Sequence, residues 1–331
     1  MKKVITLLLV LVLSLSALSL FACGGQEKIC EHVYGVSKSE EFFEKDGKVY
    51  TTRLNCNLCG EYKEVANAVV VTPAQSVEAI SNATDNSFLF FKKSNYGNFS
   101  FYTPAKNVYV AFESGASFTR LTLIEQMQDI TFDGITFKGH MVIAETIDGL
   151  TIKNCKFSGK SQLSTDAAIA NDQSKWIKDV VIDSCSFTNI SDGGRLTAIR
   201  MANIENLTIT NCTFENVDYN CFQAPGGSAP SIENPQGVPS LKGNIKITNN
   251  LFKYSGVSAL NLHRVHATTC DISGNVFYKQ KYYFDTDTGA YGVVIGVNTW
   301  EEIPEGNDTQ FNGWSYGTYT YDKTAQLLFE E

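Results

Sequence analysis

The chain has 331 residues, 43% of them hydrophobic, and its 35 acidic against 27 basic residues give a formal net charge of −8. This length is sufficient for one large folded unit with a small appendage. Binding to nucleic acid requires concentrated Lys and Arg, so the acidic balance excludes nucleic acid as a partner.

Residues 1–22 are predicted to be an export signal, because Lys2 and Lys3 precede an apolar run that ends at Leu20. Residues 20–23, with the sequence LFAC, resemble the lipobox of bacterial lipoproteins, in which Cys23 becomes the lipidated first residue. Phe21 departs from the small residue usual at its position. The alternative is an uncleaved membrane anchor, although the run is short for a span. Both readings place the remainder outside the cytoplasm, tethered to a membrane or cell surface.

Residues 23–64 are predicted to form a tether and a small Cys/His module. Cys30 and His32 are separated by a spacer of 23 residues from Cys56 and Cys59, which belong to a CxxCG sequence. This spacing resembles a zinc-ribbon knuckle, with all four positions filled by protein, so the zinc would be structural. A segment with so few apolar residues needs such a clip to fold. Disulfide pairing is the alternative, since an oxidising exterior favours it.

The third region, residues 65–331, begins with an apolar strand at Ala68 to Val71 and a short helix that follows it. Thr72 is predicted as the helix N-cap, with Pro73 in the first turn. Early strands are predicted at 88–91, 99–102 and 108–112. The amphipathic helix is expected to cover the open end of the sheet structure that follows.

An eight-residue phrase then recurs six times at intervals of 20 to 38 residues. The copies are residues 130–137, 150–157, 180–187, 207–214, 245–252 and 270–277. Each alternates apolar and polar residues, continues with a small polar pair and ends in Phe, which predicts a strand, a sharp bend and a second short strand. Stacked copies would bury their apolar faces on one another, as in a solenoid. Three like-residue stacks are expected: an internal amide ladder of Asn154, Asn211 and Asn249; a stack of buried thiols from Cys155, Cys185 and Cys212; and a stack of Phe157, Phe187, Phe214, Phe252 and Phe277.

These phrases resemble the right-handed parallel β-helix superfamily of pectate-lyase-like proteins, over about residues 68–297. The resemblance implies an all-β, right-handed parallel β-helix solenoid with a short N-terminal capping helix. It says little about function, because the superfamily includes lyases, hydrolases, epimerases, esterases and non-catalytic adhesins. It implies a substrate groove on the outer face of the strand that precedes each phrase.

The preceding strands align by eye as residues 142–145, 168–171, 198–201, 221–224 and 259–263, which places Ile143 opposite Ile169. If Ile169, Ile199, Phe222 and Leu260 point inward, then Arg200, Gln223 and Asn261 point outward on consecutive coils. Asp172 and His263 would face the same side.

Three of the five Arg residues of the chain occur near this row, together with two His residues: Arg195, Arg200, Arg264, His263 and His266. Arg holds carboxylates in a fork and His moves protons near neutral pH. The row therefore predicts an anionic polysaccharide as ligand, and in a lyase His263 would be the base and Arg200 the clamp. The alternative is a solvated outer face with no ligand.

The repeat is interrupted at 225–243 by a segment with four of the seven prolines, either a wall of the groove or a tolerated insertion. Asp285 begins a DTDTG run that resembles the start of an EF-hand calcium loop. The position at which such a loop has its Glu is Gly296, so a calcium site is unsupported and an ordinary turn is expected. The repeat is expected to end after Val297. An aromatic tail then caps the last coil or serves as a sugar platform.

The catalytic strings that mark the hydrolase and calcium-dependent lyase branches of the superfamily do not occur in this sequence. Three functions therefore remain open at the level of sequence: an enzyme of the polysaccharide lyase or glycoside hydrolase type, a non-enzymatic surface adhesin, and a passive envelope module. Binding or processing of carbohydrate is the preferred class.

Overall fold

The computed structural model describes residues 68–159, 167–191, 195–225, 239–262 and 265–278 (without the His266 side chain), and the backbone alone of 34–35, 42–45, 48–56, 62–65, 282–285, 294–295, 299–301, 311–312 and 320–321. A small antiparallel sheet comes first, with β3 pairing with each of the other strands. Its strands are β1 (Tyr34–Gly35), β2 (Phe42–Lys45), β3 (Lys48–Cys56) and β4 (Tyr62–Val65).

The remainder is a right-handed parallel β-helix built from three parallel sheets. The phrase pattern predicted stacked coils of parallel strands, and the family resemblance implied the right-handed form. Sheet 1 has 11 strands that pair with the equivalent strand of the next coil. They are β5 (Ala68–Val71), β6 (Phe88–Phe91), β8 (Lys106–Phe112), β10 (Met127–Asp133), β12 (Ile147–Lys153), β15 (Ile177–Asp183), β18 (Ile204–Thr210), β21 (Leu241–Thr248), β24 (Val265–Ser273), β27 (Val294–Ile295) and β30 (Thr320–Tyr321).

Sheets 2 and 3 are joined through β9 (Ser117–Leu123) and β11 (Thr136–Ile143), which run through both. Sheet 2 continues with β13 (Lys156–Gly159), β16 (Ser186–Ile190), β19 (Thr213–Val217), β22 (Leu251–Ser255), β25 (Val276–Tyr278) and β28 (Thr299–Glu301). Sheet 3 comprises β7 (Asn98–Phe101), the later parts of β9 and β11, β14 (Ala167–Asn171), β17 (Thr197–Arg200), β20 (Phe222–Ala224), β23 (Ser258–Leu262), β26 (Tyr282–Asp285) and β29 (Phe311–Asn312).

The helix that follows β5 is α1 (Ser76–Ser81), and it begins later than predicted. Thr72 is not the N-cap: Gln75 occupies that position without a side-chain cap, and the Thr72 hydroxyl donates to Gln75 Oε1. Pro73 lies in the turn ahead of the helix, where its carbonyl accepts from the Ser76 hydroxyl. Ile80 is buried in the same core as the first strands, consistent with a capping role. Within the described residues, no helix is both long and apolar enough to cross a membrane.

The phenylalanines that end the phrases form one continuous stack inside the β-helix, as predicted. Ring centroids of successive coils are 4.5 to 5.0 Å apart and the rings are within 10° of parallel. The stack runs through Phe137, Phe157, Phe187, Phe214, Phe252 and Phe277. Because each ring is fully buried, the stack makes a large contribution to burial of apolar surface.

The predicted thiol stack is confirmed, since Cys155, Cys185 and Cys212 are buried in the same slot of successive coils. Burial raises the pKa of the Cys185 thiol well above its ordinary value, with smaller contributions from the two neighbouring thiols. The Cys185 thiol therefore stays protonated, and the three buried cysteines pack as small apolar side chains.

The predicted internal amide ladder of Asn154, Asn211 and Asn249 is wrong. These residues have φ of 53 to 57° and occupy the bend of the phrase, with Asn211 and Asn249 exposed. A left-handed residue interrupts the strand alternation, so the next residue turns inward instead. The internal amides belong to Asn250 and Asn275, which follow the cysteines in the same slot.

The coils also continue past Val297, where the repeat was expected to end. Trp300 in β28 lies in register with Phe277. Phe311 in β29 lies in register with Phe284 in β26. Tyr321 in β30 likewise pairs with Ile295, so three residues of the aromatic tail belong to strands of the solenoid, and the tail is not only a cap.

Candidate functional site

The outer face of sheet 3 carries a row of polar residues at one register position. Arg200 pairs with Gln223, and Gln223 pairs with Asn261, on three consecutive coils. The three are named here the polar strip. The residues that precede them in β17, β20 and β23 are Ile199, Phe222 and Leu260, all fully buried. The predicted register is thus confirmed, because strand alternation turns the strip away from the core.

The register position of the polar strip can be followed through the coils on both sides of it. In the preceding coils its register position is occupied by Thr122, Val142 and Ala170, and in the following coils the backbone places Asp285 and Asn312 there. Val142 and Ala170, directly upstream, are apolar, whereas every residue type from Arg200 onward has a hydrogen-bonding group. The polar section begins at Arg200.

Exposure decreases along the strip. Arg200 and Gln223 are half-buried, whereas Asn261 is only 5% exposed. The guanidinium and the Gln223 amide are therefore the groups that a ligand in solvent would reach first.

Asp172 lies beyond the end of β14 and does not continue the strip. It is exposed and begins a turn: its carboxylate accepts a hydrogen bond from the Ser174 amide at 2.9 Å, and its carbonyl accepts one from the Lys175 amide. The Ser174 hydrogen bonds lower the pKa of the Asp172 carboxyl. This residue therefore has a structural role at the strand end, two positions away from the strip.

Other residues predicted for the site are not all brought to the strip. Arg195 is exposed and precedes β17 by two residues. His266 lies in β24 opposite Lys242, so the backbone assigns it to sheet 1 and not to the outer face of sheet 3. His263 and Arg264 lie outside the described residues.

A histidine that sequence reasoning missed lies upstream on the same outer face. His140 in β11 pairs with Arg120 in β9, and the Arg120 guanidinium donates to the Thr122 hydroxyl at 3.1 Å. His140 is 7% exposed, and its Nε2 has no hydrogen-bond partner among the described residues. Burial, and secondarily the Arg120 charge, lower the pKa of His140 to about 4. The imidazole is therefore neutral at physiological pH, the form that can accept a proton.

His140 was not among the predicted site residues because the strand register assumed for β11 was wrong. The structure places Met141 opposite Ile169, so the predicted pairing of Ile143 with Ile169 is wrong by two residues. β11 contains a bulge between Phe137 and His140, and a Cβ added to Gly139 would lie 2.1 Å from the Thr119 carbonyl oxygen. A signal was present in the sequence, since Gly within a strand often marks such a bulge.

The remaining predicted sites fall mainly outside the described residues. This applies to Cys23, Cys30, His32 and Cys59, whereas the Cys56 backbone ends β3 opposite Tyr34. At the base of the proline-rich interruption the Ser240 hydroxyl donates to the Pro225 carbonyl at 2.9 Å. Asp285 ends β26, and the rest of its DTDTG run is not described. Among the described side chains, no group of three His, Cys, Asp or Glu is placed to hold a metal ion.

Comparison with known proteins agrees with this architecture. Residues 133–331 match the family described as the right handed beta helix region, and the chain belongs to that family. No curated protein matches the sequence.

Two solved structures are similar to the chain in fold. One is a family 28 exopolygalacturonase of Yersinia enterocolitica, with a TM-score of 0.53 and 10% identity over 79% of this chain and 72% of that one. The other is a PL6 family alginate lyase, with a TM-score of 0.43 and 16% identity over 77% of this chain. The chain spans only 39% of the length of the alginate lyase.

Proposed function

We propose that this protein binds an anionic polysaccharide along the polar strip on the outer face of sheet 3. The observation that carries the proposal is the register of Arg200, Gln223 and Asn261, one polar side chain per coil. Coils repeat about every 4.8 Å, so an extended glycan lying along the axis would meet a new donor or acceptor at each step.

The charge of the strip favours an anionic ligand over a neutral one. Arg is scarce in this acidic chain, yet Arg200 lies in the strip and Arg120 lies upstream on the same face. A guanidinium offers two parallel donors to a carboxylate, which suits a uronic acid unit. The name of the Yersinia structure, an exopolygalacturonase, supports polygalacturonate as the first probe, although the similarity itself concerns only the fold.

The direct test is titration of the full chain with polygalacturonate, alginate and neutral polysaccharides of similar length. The proposal predicts binding of the polyuronates that weakens as salt rises, because exposed charges are screened. Arg200→Ala should reduce this binding. Arg195→Ala is the matched control, because it removes an exposed Arg that lies outside the strip. Equal affinity for charged and neutral polymers would contradict the proposal.

Whether the glycan is also cleaved is a separate question with its own readout. In a lyase, Arg200 would neutralise the uronate carboxylate and His263 would act as the base. Such an enzyme forms unsaturated products from the same polyuronates, whereas a surface adhesin binds them without forming product. Full activity of an Arg200→Ala, His263→Ala double variant would remove both residues from the mechanism.

We also propose that the chain is held at a bacterial membrane or cell surface, outside the cytoplasm, through lipid on Cys23. The supporting observation is the basic, apolar and lipobox-like order of residues 1–23. The full chain expressed in bacteria with a labelled fatty acid should incorporate the label and enter the membrane fraction. A Cys23→Ala variant should lose the label, and retention of the label by that variant would contradict lipidation at this residue.

A structural zinc ion in the N-terminal module is a third proposal. Cys30, His32, Cys56 and Cys59 have the residue types and spacing of a four-ligand site. Metal analysis of the purified full chain should give about one zinc per chain, with loss in a Cys56→Ser, Cys59→Ser variant. Mass spectrometry showing these cysteines in disulfides would instead support the alternative.

A further inference from the structure

A depression with a volume of about 520 Å³ lies at the corner between sheets 2 and 3, on the coils that carry β16, β19 and β22. Its size falls within the range of about 300–1,000 Å³ typical of small-ligand sites. None of its lining residues belongs to the polar strip. The lining, named here the corner depression, consists of Asn189, Ser191, Asn216, Val217, Asp218, Tyr254, Ser255 and Gly256.

One wall of the corner depression is a row of left-handed residues on consecutive coils. Asn189, Asn216 and Tyr254 have φ of 54°, 55° and 57°, and the residues on either side of them are in register. Asn216 Nδ2 donates to Asn189 Oδ1 at 3.1 Å. Both asparagines are exposed, and their side-chain amides have more donor and acceptor capacity than this one hydrogen bond uses. The backbone thus fixes two amide groups at the rim.

Tyr254 replaces Asn in this row and is unusual in two respects. It is 36% exposed, and among the described residues it is the one exposed large aromatic side chain. A bulky residue at positive φ is uncommon and strained, which favours a functional explanation. Its ring is fixed edge-to-face on Tyr278 at 5.3 Å, and Lys253 Nζ lies 5.5 Å from the Tyr254 centroid. Lys253 is itself paired with Glu215 at 2.9 Å.

The other side of the corner depression provides a hydroxyl, a carboxylate and open space. Ser191, Asp218 and Gly256 follow the buried row that ends β16, β19 and β22. A Cβ added to Gly256 would lie 1.9 Å from the Asp218 carbonyl oxygen, so no side chain can occupy that point. The close approach of the two coils keeps this end of the depression open.

We infer that the corner depression binds a neutral saccharide. A sugar ring has an apolar face that packs on an exposed aromatic ring, and hydroxyls at its edge that bond to amides and carboxylates. Tyr254 provides the first, and Asn189, Asn216 and Asp218 provide the second, in positions fixed before binding. The described lining residues include the Asp218 carboxyl and no Lys, Arg or His. The adjacent Lys253 is already paired with Glu215, so the depression offers no unpaired cation among its described neighbours and a uronate is disfavoured. The inference is independent of the polyuronate binding proposed for the polar strip.

The test is isothermal titration of the full chain with neutral oligosaccharides, namely cello-, xylo-, malto- and galacto-oligosaccharides, with trigalacturonate as the charged comparison. At least one neutral series should bind. Tyr254→Asn should weaken that binding about tenfold or more, because it removes the one aromatic contact. Asn is the residue of the previous two coils and tolerates positive φ, so this variant should remain folded.

Trp176→Ala is the matched control. Trp176 packs under Lys242, which is paired with Glu205, in the same way that Tyr254 packs with Lys253 and Glu215, but it lies outside the corner depression. Its removal, and Arg200→Ala, should leave neutral-sugar binding unchanged. Absence of binding by all four neutral series would overturn the inference, as would wild-type affinity in Tyr254→Asn. Neither result would affect polyuronate binding at the strip.

Discussion

Truncation of one ring in the phenylalanine stack should cost a large part of the stability of the fold. Phe214 is fully buried between Phe187 and Phe252, whose ring centroids lie 4.8 and 5.0 Å away. Phe214→Ala is expected to cost about 3–5 kcal/mol, since a cavity replaces the ring. Phe214→Leu fills most of the space but loses two stacked contacts of about 0.5–1.5 kcal/mol each, so it should cost about 1–3 kcal/mol.

Urea unfolding of the full chain, followed by circular dichroism, measures these differences, provided that the denaturant slope is unchanged. The neighbouring variant Phe187→Ala adds a second test, because two truncations that share one cavity should not be additive. A cost below about 1 kcal/mol for Phe214→Ala, or full additivity with Phe187→Ala, would refute a continuous packed stack.

Three further predictions concern buried polar and glycine positions. Burial lowers the pKa of His140 to about 4, so between pH 4 and 6.5 the unfolded chain binds more protons than the folded one. The free energy of unfolding should therefore fall by up to about 3 kcal/mol on acidification through that window, and this fall should be absent in His140→Gln. Identical pH profiles of wild type and variant would contradict the prediction. Asn250→Ala should lower the free energy of unfolding in urea by about 2–4 kcal/mol, because the buried Cys212 amide and Ile209 carbonyl lose their hydrogen-bond partner. The control Asn249→Ala, at the exposed neighbour with positive φ, should cost about 1 kcal/mol. Equal losses would be inconsistent with the buried amide pair. Gly139→Ala should lower the thermal midpoint because its Cβ would lie 2.1 Å from the Thr119 carbonyl oxygen, and an unchanged midpoint would argue against the bulge.

Much of the fold was predictable because the phrase encodes one coil at a time. The alternation in LTITNCTF identifies which residues of β18 point inward, and the recurring Phe and Cys identify interior slots. Alternation fails at the bend, where the left-handed Asn211 faces solvent and Cys212 turns inward. No count of period 2 anticipates that reversal.

The residues of the candidate site were predictable where the strands alternate regularly and were missed where the backbone departs from that alternation. The strip was predictable because β17, β20 and β23 each contain a buried residue directly before the polar one. His140 was missed because the bulge shifts the register of β11, and Gly139 was the one sequence signal of that bulge. Trp300 was overlooked because residues 293–300 form a seventh phrase with Trp in place of Phe. The corner depression depends on positive φ at Tyr254, which its residue type does not suggest.

The most direct test of the account is the affinity of the full chain for polygalacturonate in four forms: wild type, Arg200→Ala, Gln223→Ala and the control Arg195→Ala. Each strip variant should bind about tenfold more weakly, in line with loss of one ligand contact of about 1.4 kcal/mol, and the control should match wild type. Equal affinities for all four proteins would show that the outer face of sheet 3 is not where the polysaccharide binds.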